Sequence, residues 1–360
     1  MWRELREAGV VDAIDEHLGR WLARLGADDG VQLLGAAASH ATRAGHVCVD
    51  LSQLTGPVRD LEGAPVGELA WPGPAAIEGP LVGSPGATTP LIREGSRVYL
   101  QRYHDHEQAL AAALRRRAAA DTEVDPSHLD DLVARCFDVP PTRADADQRQ
   151  ACRVAVARRL VVVSGGPGTG KTTTVARLLA AVTEHRRRRG LDTRVRLLAP
   201  TGKAAARLGE ALQAQLEQIP PSLRPPVPPP ASTVHRALGS VRGSRTRYRH
   251  DRRTPLPDDV VVVDEASMVD LALMRRLVEA VRPSARLVLL GDRDQLASVE
   301  SGAVLGEVVR GAEAHPTSPV AAGVVRLRHS FRFRDDGGIG DSRATAAATA
   351  SGDASRDDDP

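Results

Sequence analysis

Five short runs rich in valine and leucine constrain the fold of this chain more than any other feature of its sequence. They are Leu160–Val163, Val195–Ala199, Val260–Val263, Leu287–Leu290 and Val324–Leu327. Stretches with helical spacing of apolar residues separate them. Continuous apolar runs that alternate with helices are typical of parallel strands covered by helices on both faces. The sequence therefore predicts an α/β domain with a parallel sheet over residues 147–335.

The region before this domain has a different pattern. Val10–Leu25, Val31–Arg43 and Tyr103–Ala120 show helical spacing or are rich in alanine, which predicts a mostly helical N-terminal domain over residues 1–120. Arg97–Leu100 is predicted to be a strand, and His46–Leu51 a short strand or a turn. The Pro- and Gly-rich stretch 72–90 is expected to be a loop. Residues 121–146 are expected to form a linker with some helix.

Three segments do not fit either domain. Pro220–Pro230 contains seven prolines and is expected to be an exposed linker or polyproline loop. Arg242–Arg253 contains six arginines and is either a contact for a nucleic-acid backbone or a solvated hairpin. Residues 336–360 have almost no apolar content and are expected to be disordered.

The composition of the chain bears on whether it binds nucleic acid and on where in the cell it is located. The formal net charge of +2 is nearly balanced, so only local basic segments argue for nucleic acid. The three cysteines have neither disulfide nor metal-ligand spacing, which is typical of a reducing cytoplasm. The charged N-terminus lacks the apolar segment of a signal peptide, and no apolar run approaches the length of a membrane span. We therefore expect a cytoplasmic location.

The segment Gly165–Thr172 matches the phosphate-binding pattern G-x-x-x-x-G-K-[ST]. It follows the first predicted strand and precedes a helical run over Thr172–His185, which is the context that this motif requires. Its backbone amides and the helix N-terminus are suited to bind the phosphates of ATP. The predicted nucleotide-binding residues in this loop are Gly165, Gly166, Pro167, Gly168, Thr169, Gly170, Lys171, Thr172 and Thr173.

Lysine usage supports this interpretation. Only two of the 48 lysine and arginine residues are lysines, Lys171 and Lys203. A compact ammonium fits between phosphate oxygens where a planar guanidinium does not. We expect Lys171 to bridge the β and γ phosphates and Thr172 to ligate Mg²⁺.

Two further strand ends carry candidate catalytic side chains. Val260–Val263 ends in Asp264, expected to hold Mg²⁺ through water, and Glu265, expected to orient or deprotonate the attacking water. A simple capping turn is the alternative for this acid pair, but its position after the phosphate loop favours the catalytic role. Gln295, after Leu287–Leu290, is a candidate sensor of the γ phosphate, although a surface turn of charged residues is the simpler explanation of this motif taken by itself.

Two loops are candidates for contact with DNA. Pro200, Thr201, Gly202 and Lys203 follow the strand Val195–Ala199, so they are expected at the same edge of the sheet as the phosphate loop. A Thr-Gly-Lys loop there suits a DNA phosphate, but an ordinary strand-to-helix turn explains it as well. Thr233 and His235 are similar candidates, and a helix-capping role is the alternative for His235.

Six segments together resemble the RecD family, the alpha subunit of exodeoxyribonuclease V and a superfamily 1 helicase. They are GGPGTGKTTT (165–174), APTGKAA (199–205), STVHR (232–236), VDEASM (263–268), GDRDQL (291–296) and HSFRF (329–333). The resemblance covers about residues 147–340, and residues 1–120 are similar to the RecD N-terminal region. It implies a RecA-like motor domain, 5′-to-3′ translocation on DNA and RecB-like and RecC-like partners at double-strand breaks. It also implies that Gln148 reads adenine and that Arg332 faces the γ phosphate.

Two alternatives remain open on the sequence. RecD proteins continue into a second motor domain, whereas this sequence ends in a stretch rich in Ala, Ser and Asp. We therefore expect a polypeptide of these 360 residues to bind nucleotide, hydrolyse it weakly and unwind no DNA on its own. A non-catalytic module that docks on a partner is one alternative. A stand-alone RecD-like helicase is the other, although the match of residues 1–120 argues against it.

Overall fold

Three helices form the start of the chain in the computed structural model. The structure describes residues 1–73, 79–120, 124–137, 140–225, 230–241, 243, 247–295, 302 and 304–331. The helices are α1 (Trp2–Glu7), α2 (Ala13–Arg24) and α3 (Asp29–Arg43). Helices α2 and α3 pack closely where Gly35 meets Leu22, because a Cβ on Gly35 would lie only 2.2 Å from a Leu22 methyl carbon. Asp15 is fully buried between them and accepts hydrogen bonds from Ser39 and Arg43.

Short strands follow these helices. They are β1 (Val49–Asp50), β2 (Pro57–Arg59), β3 (Pro65–Ala70), β4 (Val82–Gly83), β5 (Leu91–Glu94) and β6 (Arg97–Leu100). Strands β1, β6, β5 and β4 form one sheet in that order, and β2 pairs with β3. The predicted strand at β6 is confirmed, and β1 lies in the segment predicted as a short strand or turn. Strand β4 lies in the stretch predicted as a loop, so that prediction was wrong at Val82 and Gly83. Strands β2, β3 and β5 were not predicted, because short, partly exposed strands show no clear alternation of apolar residues.

Three helices connect this region to the larger sheet: α4 (Gln101–Ala118), α5 (Pro126–Arg135) and α6 (Ala146–Ala157). Helix α4 packs on the larger sheet's layer of helices through Leu110, Leu114 and Ala118. Buried Arg117 donates to the backbone carbonyls of Val281 and Ala285 at 2.8 and 2.6 Å. The N-terminal region is thus joined to the rest of the chain by both apolar and charged contacts.

The larger sheet is parallel throughout and contains all five strands that the sequence predicts. Its strands are β7 (Leu160–Gly165), β8 (Val195–Ala199), β9 (Ser232–Thr233), β10 (Val260–Val263), β11 (Arg286–Gly291) and β12 (Val324–Leu327), in the order β12-β7-β11-β10-β8-β9. The intervening helices are α7 (Lys171–Arg188), α8 (Gly202–Glu217), α9 (Val234–Leu238), α10 (Leu271–Ala280) and α11 (Val304–Ala314). The α/β fold with a RecA-like parallel sheet is confirmed.

Helices cover both faces of this sheet, as the apolar runs require. Val161 and Val163 of β7 belong to a core that includes side chains of α5, α6, α7 and α8. Leu160 and Val162 belong to a second core on the other face, shared with α4, α9, α10 and α11. Each buried Val or Leu side chain contributes about 1.5–3 kcal/mol relative to exposure, so both faces stabilise the sheet.

The strand order places the candidate site. Parallel strands bring their carboxyl ends to one edge, and β7 lies between β12 and β11, where the chain reverses its direction across the sheet. Ligands of such sheets bind in the crevice at this reversal. Among the described residues, no helix has the length and apolar character needed to cross a membrane.

Candidate nucleotide and DNA site

The loop between β7 and α7 has the backbone geometry of a phosphate cradle. Gly168 and Gly170 have φ values of 80° and 78°, a region that side chains other than glycine disfavour. The Thr169 hydroxyl donates to the Gly166 carbonyl at 2.9 Å, which closes the loop on itself. Helix α7 begins directly at Lys171, so its free amides and partial positive charge face the loop.

Lys171 extends back over this loop. Its ammonium donates to the carbonyls of Gly165 and Gly166 at 2.6 and 3.2 Å. The side chain is therefore folded back along the loop, and its charge lies against the carbonyl oxygens of Gly165 and Gly166. The bridging of phosphates by Lys171 stays a prediction.

Asp264 and Glu265 follow β10 at the same edge of the sheet. The Asp264 amide donates to the Leu198 carbonyl of β8, and the Asp264 carboxylate accepts from the Glu265 amide at 2.9 Å. Burial raises the pKa of Asp264, and the nearby charge of Lys171 opposes that rise. The acid pair and the loop lysine therefore interact electrostatically across β11, which separates their strands in the sheet.

Glu265 has an unusual conformation and an unusual acidity. Its φ of 50° makes it the one residue other than glycine in the left-handed region within the described parts of the chain. Burial is the largest cause of a raised pKa at Glu265, and the negative charges of Asp264 and Asp292 raise this pKa further. A base with an elevated pKa at a strained backbone position is typical of a catalytic site.

The end of β11 supplies Asp292 and Gln295. A Cβ on Gly166 would lie 3.9 Å from an Asp292 carboxylate oxygen, so this acid borders the phosphate loop. The Ser267 hydroxyl donates to the side-chain oxygen of Gln295 at 3.5 Å, which links Gln295 to the turn after Glu265. Asp292 was not among the residues predicted from the sequence, although its position directly after the strand β11 was a signal for it.

The side chains of Gln148 and Thr173 form hydrogen bonds with other side chains of the protein. The side-chain oxygen of Gln148 accepts a hydrogen bond from Arg177 at 2.7 Å, and the Thr173 hydroxyl donates to the side-chain oxygen of Gln215 in α8 at 2.7 Å. Gln148 lies beside the loop, because a Cβ on Gly170 would lie 2.6 Å from its side-chain nitrogen. Both residues border the cradle, but the Thr173 hydroxyl is directed at α8.

The segment after β12 also reaches the loop. The Phe331 amide donates to the Gly168 carbonyl at 2.9 Å, and the Phe331 ring packs edge-on against His329 with ring centres 4.7 Å apart. Arg332, which the sequence assigns to the γ phosphate, lies outside the described residues, as does the predicted disordered tail at 336–360. The role of Arg332 stays a prediction.

The candidate DNA residues lie together at the other end of the same sheet edge. Ala199 pairs with Thr233, so Pro200–Lys203 and Thr233–His235 leave neighbouring strands. The hydroxyls of Thr201 and Thr233 accept from Ala204 and Arg236 amides at 3.2 Å and so cap their helices. Lys203 and His235 are exposed. Three strand spacings separate β8 from β7, which places these loops about 14 Å from the phosphate loop.

The donor set fits a magnesium nucleotide. Thr172 offers a hydroxyl and Asp264 a carboxylate, and oxygen ligands are those that Mg²⁺ prefers. Desolvation raises the pKa of the partly buried Asp264 carboxyl, so its negative charge there lacks full compensation. A divalent cation bound there would supply that compensation.

Two known domain families match this chain. Residues 7–99 match the model of the RecBCD enzyme subunit RecD N-terminal domain, and residues 148–301 match an AAA domain. RecBCD enzyme subunit RecD of Mycobacterium tuberculosis H37Rv is 43% identical over 340 residues, which cover 92% of this chain and 56% of that protein. The RecD subunit of Mycolicibacterium smegmatis is 41% identical over 357 residues, covering 96% of this chain and 59% of that protein.

A third relative is described as a DNA helicase and not as a subunit of the RecBCD enzyme. The ATP-dependent RecD2 DNA helicase of Deinococcus radiodurans is 36% identical over 300 residues, which cover 78% of this chain and 37% of that protein. The chain thus spans little more than half the length of the mycobacterial relatives.

Proposed function

Because this chain belongs to the RecD family, we propose that it is the nucleotide-binding part of an ATP-dependent DNA helicase subunit. The observation that carries the proposal is that Lys171 and the acids Asp264 and Glu265 lie at the same carboxyl edge of a parallel sheet, close enough for their charges to interact. A lysine on a glycine loop opposite an acid pair is the arrangement that phosphoryl transfer uses.

The chain's own residues have distinct tasks in this reaction. The loop amides and Lys171 bind and orient the triphosphate, and Thr172 and Asp264 would hold Mg²⁺. When bound, Mg²⁺ neutralises charge on the β and γ phosphates. The Glu265 carboxylate takes the proton of the attacking water, which its raised pKa favours. Gln295 and Arg332 are proposed to contact the γ phosphate, and Gln148 the base.

The proposal extends to the two domains, to movement on DNA and to the residues that contact DNA. Residues 147–335 are proposed to form the first motor domain, and residues 1–120 to dock on RecB-like and RecC-like subunits, as the match at 7–99 suggests. The subunit is proposed to move 5′ to 3′ on single-stranded DNA in double-strand break repair in the cytoplasm. Pro200–Lys203, Thr233 and His235 are proposed to contact the DNA backbone.

The test is ATP hydrolysis with and without single-stranded DNA. We expect hydrolysis by the wild-type chain to rise when DNA is added. Lys171→Ala should abolish hydrolysis at any DNA concentration, because it removes the cation that orients the phosphates. The matched control is Lys203→Ala, which removes the other lysine of the chain and should retain hydrolysis without DNA. Hydrolysis that survives in Lys171→Ala would refute the proposed site.

Two other functions are separable by experiment. Similarity to the RecD2 helicase favours a stand-alone enzyme as the second candidate. Purification of the chain from its own cells without RecB-like or RecC-like subunits would support that candidate. Nucleotide binding without any stimulation of hydrolysis by DNA would instead indicate a docking module. Strand displacement by the assembled complex on 5′-tailed and 3′-tailed duplexes measures the polarity.

A further inference from the structure

Arg177 of helix α7 makes a contact that the proposed reaction does not use. Its guanidinium donates to the side-chain oxygen of Gln148 at 2.7 Å. The same guanidinium lies over the Phe137 ring, 4.3 Å from its centre. Arg149 lies over that ring as well, at 4.1 Å, and pairs with Asp145. Arg177 is therefore held by a buried aromatic ring on one side and bonded to Gln148 on the other.

This contact fixes which way the Gln148 amide faces. Arginine has hydrogen-bond donors and no acceptor, so only the oxygen of an amide can face it. Rotating the Gln148 amide by half a turn would place its NH₂ group against a donor and lose the hydrogen bond. The NH₂ group of Gln148 must then face away from Arg177.

The opposite side of Gln148 is the phosphate loop. The side-chain nitrogen lies 2.6 Å from the position of a Cβ on Gly170, so the missing side chain at this glycine leaves room for the amide. The ring of Phe331, which is 46% exposed, comes within 3.5 Å of the same position. The amide of Gln148, a residue that is only 3% exposed, and the exposed ring of Phe331 thus border the same glycine of the loop. The ring offers a face to a planar base, and the amide lies beside it.

We propose that Arg177 is a positioning residue that fixes Gln148 as a hydrogen-bond donor to the N7 acceptor of a purine base. This inference rests on the proposed function, because it concerns the base of the nucleotide whose phosphates the loop binds. Adenine and guanine both carry an N7 acceptor. The site therefore takes purine nucleoside triphosphates as a class.

The experiment compares ATP with 7-deaza-ATP, which has a C–H group in place of N7. Dissociation constants are measured by calorimetry with wild-type protein and Mg²⁺. We expect 7-deaza-ATP to bind about three- to tenfold more weakly than ATP, which is the effect of one lost hydrogen bond. In Arg177→Met, which retains length and apolar contact but has no donor, we expect this ratio to fall towards one.

Three variants separate positioning from general stabilisation. Arg177→Lys still donates to Gln148 and should retain most of the ratio. Gln148→Leu should abolish it, which tests the same atoms if Arg177→Met does not fold. Arg187→Met, on the exposed last turn of the same helix, should leave the ratio at its wild-type value. A purely structural Arg177 would weaken both nucleotides equally and leave the ratio unchanged.

The outcomes distinguish this inference from the proposed function. A wild-type chain that binds neither nucleotide would refute the proposed function and the inference with it. A wild-type chain that binds both equally would refute the inference alone. The same conclusion follows if Arg177→Met binds ATP and keeps the full wild-type ratio.

Discussion

At the residue scale, Glu265 combines two features that reduce the stability of the fold. Its left-handed backbone costs about 1 kcal/mol for a residue with a side chain. Its carboxylate is also close to the negative charges of Asp264 and Asp292. Neither feature stabilises the apolar core, and both fit the proposed role of Glu265 in the reaction.

The charge of Glu265 provides the first prediction. Since its pKa is raised in the folded chain, the folded state loses this proton less readily than the unfolded state, and stability falls as pH rises through the folded pKa. At pH 7 the neutral variant Glu265→Gln should therefore be more stable. The gain should be below about 1 kcal/mol because the group is only half buried, which corresponds to about 1–3 °C in Tm.

The measurement is thermal unfolding of nucleotide-free protein together with ATP hydrolysis. Glu265→Gln should raise Tm and reduce hydrolysis at least about 100-fold, as expected for loss of a general base. Glu307→Gln, at an exposed residue of α11, should change neither quantity. A lower Tm with normal hydrolysis would contradict the assignment of Glu265.

His185 provides a prediction about acid sensitivity. It is 5% exposed on α7, and neither ring nitrogen has a hydrogen-bond partner among the described residues. Burial, and then the charge of Arg286, lower its pKa to about 4. The unfolded chain therefore takes up this proton first, so the stability contribution is complete above about pH 6.5 and is lost as pH falls towards 4.

Replacing His185 by an apolar side chain should remove this dependence. His185→Phe should reduce the loss of unfolding free energy between pH 7 and pH 5 by roughly 1–2 kcal/mol. Urea unfolding at pH 7 and at pH 5 measures the free energy of unfolding at each pH and so gives this loss. His17→Phe, at an exposed histidine of α2, should leave the loss unchanged. An identical loss in His185→Phe would show that this residue is not the acid-sensitive group.

At the scale of elements, Arg117 joins helix α4 to the end of α10. It is buried, and it donates to the carbonyls of Val281, Arg282 and Ala285. Burial lowers its pKa to about 10, so it remains charged at neutral pH. Carbonyls after a helix C-terminus lack helical partners, and a cation there satisfies them.

Loss of this contact should loosen the junction between α4 and α10. Arg117→Met should lower the free energy of unfolding by about 2–4 kcal/mol, because two buried carbonyls and one partly buried carbonyl lose a charged donor. Arg116→Met, at the exposed neighbouring position, should change it by less than about 0.5 kcal/mol. Chemical denaturation of the two variants gives the comparison. Equal effects would mean that the buried contacts of Arg117 contribute little.

The elements also show what the sequence could predict. The strands of the parallel sheet were predictable because residues such as Val260–Val263 are apolar on both faces. The phosphate loop and the acid pair were predictable because each occupies a few consecutive residues. The contact of Gln148 with Arg177 was not, because it depends on how α6 packs on α7. The Thr173–Gln215 bond between α7 and α8 escaped prediction for the same reason.

At the scale of the whole molecule, charge and topology together place the proposed DNA contact. The net charge of +2 gives little long-range attraction to DNA, so affinity must come from local cations. The parallel sheet brings the phosphate loop and the loop of Lys203 to one edge, about 14 Å apart. The two loops leave different strands, so nucleotide and DNA contacts should be separable by substitution.

Lys203→Ala should therefore weaken DNA binding and spare nucleotide binding. Loss of one phosphate contact should reduce the magnitude of the slope of log affinity against log salt by roughly 1. Fluorescence anisotropy with labelled single-stranded DNA at several salt concentrations measures the slope, and calorimetry with ATP checks the nucleotide site. Arg189→Ala is the matched control, because α7 starts at the carboxyl edge of the sheet and its C-cap residue Arg189 lies near the opposite edge. If Lys203→Ala instead reduced ATP affinity at an unchanged salt slope, the loop would belong to the nucleotide site.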